Sequence, residues 1–492
     1  MLFLKISVLL LYIILFGSCS ETKVTDVDLS SSSFEDVLYL SSEDLEPVLE
    51  SSSSVYENNS SFELPISSLE QPHFSSSETN LNLSSSMELL SSSMFIPHFS
   101  SSSIEPLSSS IFIPHFSSSS AFPSSSSFSV YKPGDYILGV DISKFQEYES
   151  RGVLFYDTDR QKKTIFQILK NHGINYIRLK TFVDPSAMYG YAASGCGETS
   201  SESFGDKAHI MAYAKKVKEE GFGFLLDIHY SDNWADPGKQ IIPERWRSVN
   251  SIDVLSDSVY AYTYDLLSSL KSIGALPDMV QVGNEITDGL LRNVPTSETN
   301  CWGEPSSAAS STVSGRLSTQ SGNFSKLIKA GIKAVHDVDS RIKTVLHIEN
   351  AVEHGSWWLS VVVDQQKINF DILAFSAYTA YGHGVASDWK SFISTQSSKY
   401  PNLQFLIAEY NGGISASTWT SGKTKEINLM LKETPKAIGS FYWEPALYGE
   451  WGGAAFEWQD NNLYAIPSAF SEFDEIRILP KEPPKRQSDI RF

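Results

Sequence analysis

The sequence predicts an eight-stranded parallel (β/α)8 barrel, a TIM barrel of the α/β class, over residues 131–475. Two observations carry that reading. Eight short apolar runs alternate with amphipathic segments of helical period over about 345 residues, the pattern of buried parallel strands joined by crossovers. In each run the polar residues gather at the C-terminal end, the rim on which such barrels carry their chemistry. Composition then removes the first 130 residues from the barrel. Residues 30–129 hold 39 serines and 12 acidic residues, with no Lys or Arg.

From the N-terminus, Lys5 followed by the 11-residue apolar run Ile6 to Phe16 reads as an export signal, too short to span a bilayer. The run ends in Phe16-Gly17-Ser18-Cys19, which resembles a bacterial lipoprotein box. Residues 1–19 are therefore expected to be a signal segment, with Cys19 the lipidated residue anchoring the chain to a bacterial membrane outside the cytoplasm. Cleavage near Ser18 without a lipid is the plainer alternative, and gives a secreted protein. Residues 20–130 read as a disordered serine-rich linker in which Phe-Ile-Pro-His-Phe-Ser-Ser-Ser-Ser occurs at 95–103 and again at 112–120. Such a chain buries too little apolar surface to offset its ordering entropy. As a flexible tether it reaches on the order of 50–60 Å.

Charge follows the same division. Of the net −20, the serine-rich hundred accounts for −12 and residues 130–492 for only −7. No basic stripe exists to displace counterions from a phosphate backbone, so nucleic acid is not an expected partner.

The expected strands are Ile137–Ile142, Asn175–Leu179, Phe224–His229, Met279–Gly283, Thr344–Ile348, Ile372–Ala377, Gln404–Ala408 and Ser440–Trp443. Thr164–Asn171, Lys207–Glu220 and Val254–Ile273 are helical segments between them, and Gly173, Gly221 and Gly274 stand where C-terminal caps belong. A doubly wound sheet is the weaker alternative, because Gly221-Phe222-Gly223 precedes a strand instead of following one. Residues 476–492 form a charged, Pro-containing tail.

The strand ends carry Asp141, Arg178, Asp227, His229, Asn284, Glu285, Glu349, Asn350, Tyr378, Glu409, Tyr410 and Glu444. One such residue is an ordinary cap; a ring of them is a site. Carboxylates with one Arg, one His and several aromatics suit acid/base and nucleophilic work on a glycosidic bond, which needs one protonated and one ionised carboxyl. No Gly-x-Ser-x-Gly elbow, His-x-His or His-Glu-x-x-His occurs, so neither a serine nucleophile, a metal nor a cofactor is expected. Trp234, Trp302, Trp443 and Trp451 near the rim are candidates to stack on sugar faces. At this level Glu285 could pair with Glu409, Glu349 or Glu444.

Longer strings narrow the choice. Leu226-Asp-Ile-His-Tyr-Ser-Asp-Asn-Trp-Ala-Asp-Pro237, Pro277-Asp-Met-Val-Gln-Val-Gly-Asn-Glu-Ile-Thr-Asp-Gly-Leu-Leu291, Asn175-Tyr-Ile-Arg-Leu-Lys-Thr-Phe-Val-Asp-Pro185 and Gly139-Val-Asp-Ile-Ser143 resemble glycoside hydrolase family 53, the arabinogalactan endo-β-1,4-galactanases. The resemblance implies Glu285 as general acid/base and Glu409 as nucleophile of a retaining mechanism on β-1,4-galactan. It further implies Asn284 on the sugar 2-hydroxyl, and Arg178 and Tyr378 on the nucleophile. Asp141, His229, Trp234 and Trp443 are then the substrate-binding residues. The chain departs from the family at Ser376-Ala-Tyr-Thr-Ala-Tyr-Gly-His383, at Tyr410, and at Phe182 and Arg292. Those changes touch subsite stacking, so another β-linked glycan (mannan, xylan or glucan) is the alternative substrate, and a non-catalytic glycan-binding lipoprotein the remaining reading.

With Cys19 assigned to lipid, Cys196 and Cys301 remain, in the loops after the second and fourth strands. In an oxidising compartment a disulfide between them is the expectation, and two free thiols the alternative.

Overall fold

The computed structural model describes residues 131–192, 202–295, 313–411, 423–446 and 454–478. The signal segment with Cys19, the serine-rich linker, Cys196, Cys301, Trp302, Trp451 and residues 479–492 lie outside the described residues.

Eight parallel strands close into a barrel: β1 (Ile137–Asp141), β2 (Tyr176–Thr181), β3 (Gly223–Ile228), β4 (Met279–Val282), β5 (Lys343–Ile348), β6 (Ile372–Ser376), β7 (Gln404–Tyr410) and β8 (Ala437–Trp443). Each pairs with its neighbours in sequence, and β8 pairs with β1 to close the ring. The principal helices are α1 (Ile165–Asn171), α2 (Lys207–Glu219), α3 (Ile252–Ser272), α4 (Leu317–Val338), α5 (Ala351–Leu359), α6 (Ala386–Lys399), α7 (Lys423–Glu433) and α8 (Pro467–Ile478). All eight expected strands form, displaced at their ends by a few residues. Gly173, Gly221 and Gly274 follow α1, α2 and α3 with φ of +76°, +81° and +73°, the left-handed cap that glycine adopts without a Cβ penalty.

Alternation along the strands separates two apolar regions. Val140, Ile177, Leu226, Val280, Leu346, Phe375 and Ile407 point outward into the large core beneath the helices. Ile137, Tyr176, Leu225, Met279, Val345, Ile372, Leu406 and Phe441 point inward and fill the barrel's lower interior. Space there is tight: a Cβ on Gly139 would lie 2.4 Å from the Phe441 ring. The interior is therefore a packed plug, and everything polar on the strands is displaced upward.

A feature absent from the sequence reading is a small four-stranded sheet of Phe155–Tyr156, Lys162–Lys163, Phe456–Gln459 and Asn462–Ala465. It joins the first βα connection to the segment after β8. Two-residue strands have too little pattern to be read as strands. The buried Asp157 anchors the sheet. It accepts from Lys163 Nζ (2.7 Å), Asn171 Nδ2 (2.8 Å) and the Thr158 amide (2.7 Å), and lies 2.8 Å from His172 Nε2. The other ring nitrogen of His172 lies 2.9 Å from Asp474 in α8. Burial works against the Asp157 charge, but these donors outweigh it and hold the carboxyl well below its usual range. A depressed carboxyl contributes stability above its unfolded value of roughly 3.9 and loses it as pH falls through the folded value. Asp157→Asn is expected to destabilise the barrel by about 2–4 kcal/mol. Thermal melts from pH 7 down to 3 check it: the gap between the wild-type and variant curves should begin to narrow below about pH 4.

Candidate active site

The period-two alternation that builds the lower plug also builds the floor of the site. Two residues above the apolar layer, the inward positions become Asp141, Arg178, Asp227, Gln281, His347 and Ser376, all buried. These side chains bond one another. Arg178 is the hub: its Nη1 donates to Asp141 (2.8 Å), and its Nη2 reaches Asp227 (2.8 Å), Asn284 Oδ1 (3.0 Å) and Glu409 Oε1 (2.9 Å). Three carboxylates around one guanidinium outweigh its desolvation and keep it charged.

Two local distortions aim the glutamates. Glu285 follows Gly283 and Asn284 at the end of β4 with φ +45°, a left-handed backbone that a glutamate adopts only under outside constraint. The constraint is visible: the Ile286 amide donates to the His347 carbonyl (2.8 Å), and Gln240 Nε2 donates to the Asn284 carbonyl (2.7 Å). On β7 the register slips, so that Phe375 pairs with Ile407 but Ser376 pairs with Glu409. That bulge turns Glu409 toward the barrel axis, as bulges beside active sites commonly do. Tyr410, next along, faces outward and packs on Tyr442 at 5.2 Å, so its departure from the family pattern leaves the cavity untouched.

The two glutamates sit in opposite company. Ser376 Oγ lies 2.6 Å from Glu285 Oε1 and 3.0 Å from His347 Nε2, while His347 Nδ1 lies 3.0 Å from Asn284 Oδ1. Burial pushes the Glu285 carboxyl well above the usual glutamate range, and the charge of Glu409 pushes it further. Burial also holds His347 well below its ordinary value, hence neutral. Ser376 donates to Glu285 Oε1 and so favours the ionised form, but burial and the Glu409 charge outweigh it. Burial raises Glu409 too, but the Arg178 guanidinium opposes it and the Tyr378 hydroxyl donates to its Oε2 at 3.0 Å. Of the pair, Glu285 holds the proton and Glu409 the charge.

A cavity of about 420 Å³ opens over both, with Trp234, Tyr378, Tyr381, Trp443, Lys144, Glu349 and Glu444 among its walls. Trp443 stands edge-on to Trp234 (6.2 Å) and Tyr378 (6.4 Å). The structure thus brings Asn284, Glu285, Tyr378, Glu409, Trp234 and Trp443 to one cavity. Asp141 and His229 stand elsewhere than a substrate-contacting role requires. Asp141 lies beneath the cavity against Arg178 and Ser143. His229 is buried, with Nε2 3.1 Å from Asp227 and Nδ1 accepting from the Ala235 amide at 3.0 Å. Phe182 lies wholly buried behind Trp234 at 6.0 Å.

Sequence reasoning passed over Ser376, His347, Gln281 and Lys180. Their inward phase on β6, β5, β4 and β2, one step below or beside the strand ends, is the signal that could have found them. Among the described residues no group of three or more His, Cys, Asp or Glu side chains is placed to hold a metal ion.

Residues 137–475 match the profile of glycosyl hydrolase family 53. An uncharacterized protein of Niallia circulans is 31% identical over 353 residues, 66% of this chain and 86% of its own. An endo-β-1,4-galactanase of Bacillus subtilis (strain 168) is 28% identical over 335 residues, 63% of this chain and 70% of its own. Among solved structures, the family 53 catalytic domain of Ignisphaera aggregans is similar with a TM-score of 0.57 at 28% identity, covering 70% of this chain and 97% of that one. A fungal β-1,4-galactanase gives 0.55 at 25% identity, covering 68% and 98%. The profile spans the whole barrel, from β1 to α8, and includes both strand-end glutamates: the chain belongs to glycosyl hydrolase family 53 and is a glycosidase.

Proposed function

We propose that this enzyme is an endo-acting, retaining galactanase that cleaves β-1,4-galactosidic bonds in galactan or arabinogalactan. The observation that carries the mechanism is the asymmetric glutamate pair: Glu409 against Arg178 at 2.9 Å and Glu285 against Ser376 at 2.6 Å, over one aromatic-walled cavity. Two galactanases among the relatives support the substrate. In the first step a Glu409 oxygen bonds to the anomeric carbon as the glycosidic bond breaks, and Glu285 gives its proton to the departing oxygen. In the second, Glu285 takes a proton from water, whose oxygen displaces Glu409 from the same carbon. Two inversions leave the β-configuration unchanged.

Digestion of a panel of galactan, mannan, xylan and mixed β-glucan tests the substrate, with galactan alone expected to yield oligosaccharides. Proton NMR of the first product tests the stereochemistry: the β-anomer is expected, and an α-anomer overturns the assignment. Inertness toward the whole panel would favour the glycan-binding reading.

Two limbs are expected in the pH profile of kcat/KM: an acid limb where Glu409 takes up a proton and a basic limb where Glu285 loses one. Burial raises both carboxyls, so the window lies above the ordinary glutamate range. Glu285→Ala should slow polysaccharide hydrolysis by about 1,000-fold yet spare activated aryl galactosides far more, because a good leaving group needs no proton. With those substrates the basic limb should disappear; its survival would mean that another group supplies the acid.

Export and a lipid at Cys19 complete the proposal. Partition of the full chain into detergent should be lost in Cys19→Ala, and wild-type protein wholly free of membranes would overturn the anchor.

A further inference from the structure

The end of the barrel opposite the active site holds another cavity, of about 700 Å³. Its floor is the underside of the packed plug: Ile137, Tyr176, Met279 and Ile372, each the first residue of its strand. Tyr131, Leu276 and Ile438, all half-buried, stand around that floor. Barrel enzymes carry their chemistry on the other rim, so the reaction leaves this cavity without a role.

The charges at its mouth are already matched. Asp278 pairs with Lys218 at 2.9 Å, Asp339 with Arg341 at 2.7 Å and Lys343 with Asp371 at 2.8 Å, while Asp135 accepts from the Lys132 amide at 2.9 Å. A charged ligand would find no free counter-charge among these groups, whereas an uncharged apolar one removes the walls and floor from water.

The described chain begins at this cavity. The Tyr131 amide donates to the Gly221 carbonyl at 3.3 Å, and the Tyr131 ring stands edge-on to Tyr176 at 4.7 Å. The residues just before it are Ala121-Phe-Pro-Ser-Ser-Ser-Ser-Phe-Ser-Val130, which carry no charge and set Phe122, Phe128 and Val130 among serines. Phe128 is three residues from Tyr131, a reach of at most about 10 Å. So short a tether gives its ring a high effective concentration at the cavity. A serine-rich segment lacks the apolar surface for a core of its own, but an island within it needs only a surface that is already folded.

We propose that the Phe128 side chain seats in this lower cavity, so that residues 122–130 close the bottom of the barrel and the folded domain begins before Tyr131. The serine-rich tether is then shorter by that segment, and it leaves from the end of the barrel away from Glu285 and Glu409.

Amide hydrogen exchange of the full chain tests the seating without any variant. Peptides covering residues 122–130 should exchange at least tenfold more slowly than those covering the repeat at 95–103, and equal rates overturn the inference. Phe128→Ser should abolish that protection and lower the melting temperature of the barrel by about 2–4 °C. Phe99→Ser, the same change in the distant repeat, should do neither. Protection that survives Phe128→Ser overturns the inference. A photoreactive benzophenone analogue of phenylalanine at position 128 identifies the occupant. Irradiation should bond it to peptides of the same chain that carry Leu276, Met279 or Ile438. Bonds only to a second copy, or only to other parts of the barrel, overturn the inference.

Discussion

Replacing Glu409 with alanine is expected to lower kcat on galactan by about 100,000-fold, with the fold retained. The size follows from the role: loss of a nucleophile removes the covalent route, leaving only binding and orientation. Retention of the fold follows from the geometry, because Arg178 keeps Asp141 and Asp227 as partners at 2.8 Å. The variant also frees the space beneath the anomeric carbon. Azide added with an activated aryl galactoside should bond to that carbon as the aryl group departs, giving the α-galactosyl azide and partly restoring turnover. A residual kcat within tenfold of wild type, or restoration giving the β-azide, would move the nucleophile to another residue.

Arg178→Ala is the second large effect, and it strikes stability and rate together. The guanidinium is wholly buried between Asp141, Asp227 and Glu409. Without it three buried carboxylates lose their counter-charge, which costs about 3–5 kcal/mol at neutral pH. Glu409 loses the one contribution that most opposes its desolvation, so its carboxyl rises further. The acid limb of the pH profile should therefore move to higher pH, and kcat at neutral pH should fall by about 1,000-fold. Arg178→Lys keeps a charge but cannot span Asp141 and Asp227 with one fork, so it should recover stability more than rate. Chemical denaturation and a pH–rate profile separate the two effects. An unmoved acid limb in Arg178→Ala would show that Arg178 does not act on Glu409.

The two glutamates of the site stand where strand logic puts them. Glu285 and Glu409 each close an apolar run, and a barrel brings all C-terminal strand ends to one rim. Arg178, placed inward on β2 by its two-residue offset from Tyr176, is readable the same way. Asp141 and His229 were legible as strand-end polar residues, but their burial apart from the cavity lining was not. Their distance from substrate depends on how deep each strand sits, and the barrel stagger that sets depth is not written in any one run. The Ser376–His347–Asn284 chain was hidden for a similar cause: it joins three strands through side chains far apart in sequence.

Periodicity, composition and strand-end chemistry by themselves determined that residues 131–475 form a barrel and that carboxylates crown it. Those properties are local, fixed by the two-residue alternation of a strand and by the caps of each helix. Which glutamate keeps its proton was decided only by tertiary structure. Glu285 and Glu409 are the same residue type at equivalent strand ends. They differ because the closed ring sets a buried guanidinium against Glu409, and sets the charge of Glu409 against a buried Glu285. Desolvation and neighbouring charge act across space, and only the folded barrel supplies those neighbours.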